Sequence, residues 1–464
     1  MNLENNQYHF IAIGGIGMSG LAKYLLEKGI NVTGSDIQDS KYVKALKDLG
    51  AKVYIGHDEE NIQGTPTIIA STAIKEDNVE LKKAKALNLD VYHRSDLLQK
   101  IAKDFSDNEK STFIGFSGTH GKTTTSGLCS FLLEKAGLKP SYVVGGIIPE
   151  LGDNAHYGSD DYFVAELDES DGTILKYQPD INVINNLEVD HLDFYKGGFD
   201  DLIKTFNIYL ANLKPDAKII INRDCDGNKE LIKQNTQNKF ITFGLSEADY
   251  TVANLEYKDF GSSFDVVKNG ENLGKIKLSV PGKHNVYNAL SVFAALYESN
   301  IPIASFINHF DAFTGMGRRF QLAAEFNEIK IVDDYAHHPS EIATTLESVK
   351  NATDYRVVAV FQPHRYSRLK GLWNEFLNCF NNCDKLIVLD VFAASETLIK
   401  EADSKAFVET INHPDATYLK GSMGEVADKL LPLLKPSDIV LTLGAGDITK
   451  LGGLLQETYN KAHK

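Results

Sequence analysis

At 464 residues the chain is too long for one ordinary domain, and usual domain sizes point to about three, each able to bury its own core. Its 63 acidic against 48 basic side chains give a formal net charge of -15, which repels polyanions and argues against nucleic acid or an anionic membrane surface as main partner. Four cysteines without zinc-ribbon spacing, no apolar run able to span a bilayer and a polar start without a cleavage site lead us to expect a cytoplasmic protein.

From Tyr8 to about Phe105, short apolar runs (HFIAIGG, NVTGSD, AKVYIG, PTIIAST, DVYHR) alternate with helix-period segments such as MSGLAKYLLEKG and SKYVKALKDLG. This alternation predicts a parallel sheet covered by helices, a Rossmann-like domain over residues 1–107. Its first turn carries Gly15, Gly17, Met18, Ser19 and Gly20 between strand and helix, and Asp36 lies just beyond the next strand. Such a loop reports close approach of a pyrophosphate and does not say which nucleotide owns it, so an NAD oxidoreductase is one alternative. The polar run Asp104 to Ser111 reads as a linker.

A second domain, 108–318, opens on the strand TFIGFSG and is expected to be a mixed sheet, because period-2 strands recur near 249 to 280. Gly118, Thr119, His120, Gly121, Lys122, Thr123 and Thr124 lie between that strand and a helix-like run. Backbone N–H groups at a helix N-terminus, a lysine charge and a threonine hydroxyl for Mg2+ make a cradle for a nucleoside triphosphate, though the spacing departs from the general P-loop. Two later strands deliver carboxylates: DYFVAELDESD, with Glu169, and INVINN followed by Glu188, Asp190, His191 and Asp193. Carboxylates at strand ends beside a phosphate loop suit Mg2+, which takes only one or two protein oxygens.

The third stretch, 319–464, alternates again through IKIVDDYAHHP, RVVAVFQPHR, DKLIVLD and DIVLTLGAGD, which predicts a second Rossmann-like domain. Arginine is scarce: the chain has seven, and five of them (94, 318, 319, 365 and 368) fall inside motifs. Arg365 and Arg368 stand three apart at a strand end, where two guanidiniums could hold a carboxylate.

GTHGKTTT, DESDG, NNLEVDHLDFY, PGKHNVYNAL, GMGRRF and DDYAHHP, in this order and across nearly the whole chain, resemble the Mur ligase family. The resemblance implies an α/β protein of three domains: N-terminal Rossmann-like, central P-loop ATP-binding mixed sheet and C-terminal Rossmann-like. It implies ATP and Mg2+ as cofactors, with UDP-N-acetylmuramate and L-alanine joined through an acyl phosphate in peptidoglycan precursor synthesis. By the same likeness Lys122 meets the phosphates, Thr123 and Glu169 one Mg2+ and His191 a second, Asn288 adenine, Arg319 phosphate and Asp334 ribose. Gly15, Gly17, Met18 and Ser19, with Asp36, Ser71, Thr72 and Arg94, fall to the UDP-sugar, and Tyr335, His337, His364, Arg365 and Arg368 to the amino acid.

Several family members carry a carbamylated lysine about fifteen residues beyond the VDH histidine; Phe206 stands at that spacing here, so none is expected. Two other readings compete: a recycling ligase that takes a ready-made tripeptide, and a non-catalytic nucleotide-binding protein on the same scaffold. The run QPHRYSR favours a free amino acid over the tripeptide, and the intact Lys122, Thr123, Glu169 and His191 favour catalysis.

Overall fold

The computed structural model describes residues 3, 7–71, 73–188, 194–258, 261–394 and 396–463. The first sheet is parallel throughout, with spatial order Lys52–Ile55, Val32–Asp36, Tyr8–Ile11, Thr67–Ala70, Val91–His93. The chain moves outward on one side of Tyr8–Ile11 and then returns to its other side. That reversal opens a crevice beyond the strand ends, which is where such sheets bind ligands. Each predicted strand is present.

The expected linker at Asp104 to Ser111 is shorter than read, because the helix Arg94–Asp107 runs through its first half. Lys100 and Lys103 pair with Asp104 and Asp107 one turn on, and Phe105 is buried against Phe163 with ring centres 4.7 Å apart. Charge spacing of four along one face supports a helix where composition alone suggested a loop.

The second sheet has ten strands, in the order Glu271–Leu278, Gly261–Lys268, Tyr250–Lys258, Phe240–Phe243, Lys218–Asn222, Ile181–Ile184, Thr112–Ser117, Tyr162–Glu166, Ser141–Ile148, Asp153–His156. Its middle is parallel and its last pair antiparallel, so it is mixed as expected. Phe206 is fully buried in the core and packs edge-on against Tyr209.

In the third sheet Gln321–Phe326 runs antiparallel to Ile329–Asp334. Ile439–Leu443, Val357–Phe361, Lys385–Leu389 and Ala416–Leu419 then follow in parallel. The last strand made, Ile439–Leu443, lies between two early ones.

These three sheets fall into two compact units: Met1–Ala253 with Asp265–Ile276 and Tyr287–Phe310, and Asn254–Phe264 with Lys277–Val286 and Asp311–Lys464. Inside the first unit the helix Ile16–Glu27 seats on the strand Asp153–His156: Lys23 donates to the Ala155 carbonyl at 3.0 Å and Asn154 to that of Ile16 at 3.1 Å.

One buried carboxylate ties the first sheet together. Glu80 accepts from Ser35 Oγ and Asn61 Nδ2, both at 2.6 Å, and lies 3.5 Å from His9 Nε2 and His57 Nδ1. Burial alone would push its carboxyl up, but the bonds from His9, Ser35 and Asn61 outweigh that and hold it at about 2. A depressed folded pKa gives stability that is fully present above the ordinary value of 4.5 and is lost as pH falls through about 2. Glu80→Gln should therefore destabilise the protein by roughly 3 kcal/mol at pH 7, and the gap should shrink by about half at pH 3. Denaturant unfolding of both proteins at the two pH values checks this; a gap independent of pH would contradict it.

Candidate active site

The loop after Thr112–Ser117 is bent by two glycines with positive φ, Gly118 at 119° and Gly121 at 84°. A Cβ on Gly118 would lie 2.7 Å from the Asn186 carbonyl, and one on Gly121 would lie 2.8 Å from Asn288 Oδ1, so neither position accepts a side chain. Gly121 is the N-cap of the helix Lys122–Lys135, and no side chain caps it. The first-turn N–H groups, those of Lys122, Thr123 and Thr124 among them, are thus left to an anion. Asn186 braces the loop from below: its carbonyl accepts from Thr119 N at 2.9 Å and its Oδ1 from His120 N at 2.7 Å. Thr119 Oγ1 also accepts from Glu188 N at 2.9 Å. Asn288, expected at adenine, stands beside Gly121.

Lys122 folds back under the loop. Its Nζ donates to the Gly118 carbonyl at 2.7 Å and to Glu169 Oε1 at 3.0 Å. Burial alone would lower the Lys122 pKa, but Glu169, Asp168 and Glu166 together raise it, so the ammonium stays charged. Burial raises both Glu166 and Glu169 against the pull of Lys122. The pocket therefore holds more carboxylates than cations.

Of the residues expected at the first Mg2+, Glu169 bonds Lys122 and Thr123 bonds Glu166. Thr123 Oγ1 donates to Glu166 Oε2 at 2.9 Å, and Gly145 N donates to the same oxygen at 2.9 Å. Glu169 is 1% exposed and faces Lys122, whereas Thr123 and Glu166 are both half-buried and reachable. Glu166 is thus the acid that meets Thr123. Its signal was its place as the last residue of the strand Tyr162–Glu166. His191 lies outside the described residues.

At the first glycine loop, Gly14 N donates to Asp36 Oδ2 at 2.9 Å, and Gln38 N donates to Asp36 Oδ1 at 3.0 Å. Asp36 thus spends both oxygens on the chain itself, and Gly14, absent from the expected set, is the glycine that docks on it. The Met18 side chain is buried in the core, Ser19 Oγ bonds the Ile16 carbonyl at 3.2 Å and Ser19 N donates to the Gly15 carbonyl at 2.8 Å, so Ser19 spends both its hydroxyl and its N–H on the helix start. Arg94 is exposed, and its Nη1 would lie 2.8 Å from a Cβ on Gly17, so guanidinium and glycine loop stand together. Ser71 is half-buried just past Thr67–Ala70, and Thr72 lies outside the described residues. His93 is the N-cap of the next helix and closes a capping box with Asp96.

In the second unit the ring of Tyr335 is flanked by Arg318 and Arg319, whose guanidinium carbons lie 5.0 and 5.1 Å from its centre. The two arginines differ in role. Arg318 donates to the carbonyls of Gly444, Ala445 and Gly446 at 2.7 to 3.3 Å, which gives the GAGD loop its anchor, while Arg319 Nη1 lies 3.5 Å from Glu341 Oε1. Asp334 accepts from Ala336 N and Phe320 N, each at 2.8 Å, and burial pushes its carboxyl up to about 6. His337 packs edge-on to Tyr335 at 5.2 Å and to His364 at 6.0 Å, and Arg368 Nη1 is 3.3 Å from His364 Nδ1. Tyr335, His337, His364 and Arg368 are thus brought together. Arg365 is exposed, in a left-handed backbone conformation with φ of 70° at the start of the helix Tyr366–Gly371. Burial lowers both imidazoles, His364 to about 4 with His337 and the two arginines adding to it. The pocket accordingly offers arginine charge and neutral rings, a setting for a carboxylate.

Comparison with known proteins agrees along the whole chain. Residues 7–106 match the model of the Mur ligase family catalytic domain, 116–296 the Mur ligase middle domain and 318–446 the Mur ligase glutamate ligase domain. A UDP-N-acetylmuramate–L-alanine ligase of Geotalea uraniireducens is 40% identical over 453 residues, 97% of each chain. The structure of the UDP-N-acetylmuramate–alanine ligase of Thermotoga maritima is similar at a TM-score of 0.83, with 26% identity over 99% of this chain and 100% of that one. A murein peptide ligase of Psychrobacter arcticus has the same fold, with a TM-score of 0.71 and 21% identity over 98% of each chain. With matches to all three segments and a relative this similar end to end, the chain belongs to the Mur ligase family.

Proposed function

We infer that this protein joins L-alanine to the lactyl carboxylate of UDP-N-acetylmuramate, with cleavage of ATP to ADP and phosphate, in the synthesis of peptidoglycan precursor. The observation that carries this is the 40% identity, through 97% of both chains, to a UDP-N-acetylmuramate–L-alanine ligase. The grouped Tyr335, His337, His364 and Arg368 supply the chemistry an amino-acid carboxylate requires. Domain boundaries near 107 and 318 go with this reading, one domain for each substrate. No helix among the described residues is long and apolar enough to cross a membrane, and we place the reaction in the cytoplasm, where both nucleotides are made.

The lactyl carboxylate oxygen attacks the γ-phosphorus of ATP, the bond to the ADP oxygen breaks, and an acyl phosphate forms. Lys122 and the first-turn N–H groups of its helix are the groups of this unit that offset charge on the transferring group. The alanine amine, its carboxylate held by Arg368, then attacks the acyl carbon, loses a proton, and phosphate leaves. Bringing three substrates together supplies much of the acceleration.

The residues present fit Mg2+: Thr123 and Glu166 offer hard oxygens at a reachable edge of a pocket with surplus carboxylate, and Glu169 instead keeps Lys122 in place. Bound there, Mg2+ would neutralise phosphate charge. Glu166→Gln should raise the Mg2+ concentration for half-maximal rate at least about tenfold. Glu169→Gln should lower kcat with little change in that requirement, and the reverse pattern would return Glu169 to the metal.

Purified protein given UDP-N-acetylmuramate, ATP and Mg2+ should form an amide and release phosphate with L-alanine; product only with an intact tripeptide would move the assignment to recycling. Arg368→Lys keeps the charge but loses the planar fork, so the KM for L-alanine should rise about tenfold or more while that for ATP stays within a factor of about two. Steady-state titration of each substrate decides it, and equal shifts would remove Arg368 from the amino-acid pocket.

A further inference from the structure

We propose that Phe392 is a positioning residue for the amino-acid step, holding His364 in one plane and one tautomer and fixing the backbone of Arg365; this rests on the L-alanine ligase reading. Three observations converge on it. The rings of Phe392 and His364 are stacked, with centres 5.5 Å apart and planes 10° from parallel. The two residues also form an isolated parallel bridge: Phe392 N donates to the Pro363 carbonyl at 2.8 Å, and Arg365 N donates to the Phe392 carbonyl at 2.9 Å. Behind the ring stands Gly446, where a Cβ would come 2.7 Å from Phe392 Cγ, so the ring is wedged between the imidazole and the GAGD loop that Arg318 anchors.

The hydrogen bond at Arg365 explains an otherwise costly conformation. A non-glycine residue at φ of 70° persists only where its surroundings hold it. The Phe392 carbonyl supplies that hold, while Ser367 N and Oγ bond the Glu396 carboxylate further along the same segment. The arginine that starts the helix is therefore held from both sides, by a strap from the next crossover at its N–H and by Leu369 N of its own helix at its carbonyl, 3.2 Å away.

The stack has a chemical consequence. Guanidinium can only donate, so the contact from Arg368 Nη1 to His364 Nδ1 at 3.3 Å makes Nδ1 an acceptor and leaves the ring proton on Nε2. With the ring unable to turn against Phe392, that Nε2–H points one way. A fixed neutral donor beside two arginines complements a carboxylate and leaves an adjacent ammonium uncrowded by positive charge. Burial keeps His364 neutral at physiological pH, in accord with this arrangement.

The test compares Phe392→Leu, which keeps apolar volume and loses the flat face, with Phe392→Tyr, which keeps the face. Phe392→Met stands in for the leucine variant if that one does not fold. We expect the leucine variant to raise the KM for L-alanine about tenfold, with the KM values for ATP and UDP-N-acetylmuramate within about twofold, and the tyrosine variant to stay close to wild type. Nitrogen NMR of the His364 ring should show a single Nε2–H form in wild type and a mixture of tautomers in Phe392→Leu. Unchanged alanine KM, a uniform shift in all three constants, or an unaltered tautomer in Phe392→Leu would overturn the proposal. Failure of the wild type to use L-alanine would instead strike the functional reading, and the NMR result would still decide whether Phe392 orients the ring.

Discussion

The central site depends on one buried ammonium. Lys122 is held between the carbonyl of Gly118 and the carboxylate of Glu169, where its charge offsets that of the buried acids around it. Asp168 and Glu166 add to the field that keeps Lys122 charged, while burial raises the carboxyls of Glu166 and Glu169, so carboxyl groups outnumber the one ammonium. A site this rich in carboxylates suits a further cation better than a second anion, and the proposed Mg2+ site rests on that imbalance. The loop glycines, the Asn186 brace and the strand end at Glu166 serve to fix where that imbalance sits.

The proposed amino-acid pocket solves the opposite problem. It gathers positive charge for a carboxylate, yet must not repel the ammonium or amine attached two atoms away. Keeping His337 and His364 neutral by burial confines the charge to the guanidiniums, and the two rings, edge-on to each other, are held by further contacts with Tyr335 and Phe392. Rigidity here comes from aromatic packing, while rigidity at the phosphate loop comes from backbone hydrogen bonds.

Much of this was legible in the chain because periodicity fixes strand and helix order, and the phosphate loop is local in sequence. All five strands of the first sheet and the strand-loop-helix around Lys122 follow from pattern alone. What escaped was non-local or masked by chemistry of the same kind. Glu166 and Glu169 are both carboxylates three residues apart, and only the end of the strand decides which one meets Thr123. Gly14 and Gly15 are likewise indistinguishable until Asp36 is placed. Arg318 and Arg319 are adjacent, and their separation into loop anchor and candidate phosphate contact depends on carbonyls more than a hundred residues away. Phe392 carries no polar group at all, so nothing in its type marked it. The helix through Asp104 was missed because acidic and polar residues were read by composition, whereas their spacing against Lys100 and Lys103 was the informative quantity.

The position of Ile439–Leu443 in the middle of the third sheet bears on how the protein is made. The first sheet draws all its strands from residues 8 to 93 and can assemble while later codons are still being read. The third cannot: until residues 439 to 443 emerge, Ile329–Asp334 and Val357–Phe361 lack their shared neighbour and present open edges. Nascent chains therefore carry an unfinished, aggregation-prone segment until residues 439 to 443 are made, and a product truncated before them has an incomplete core that proteases can recognise.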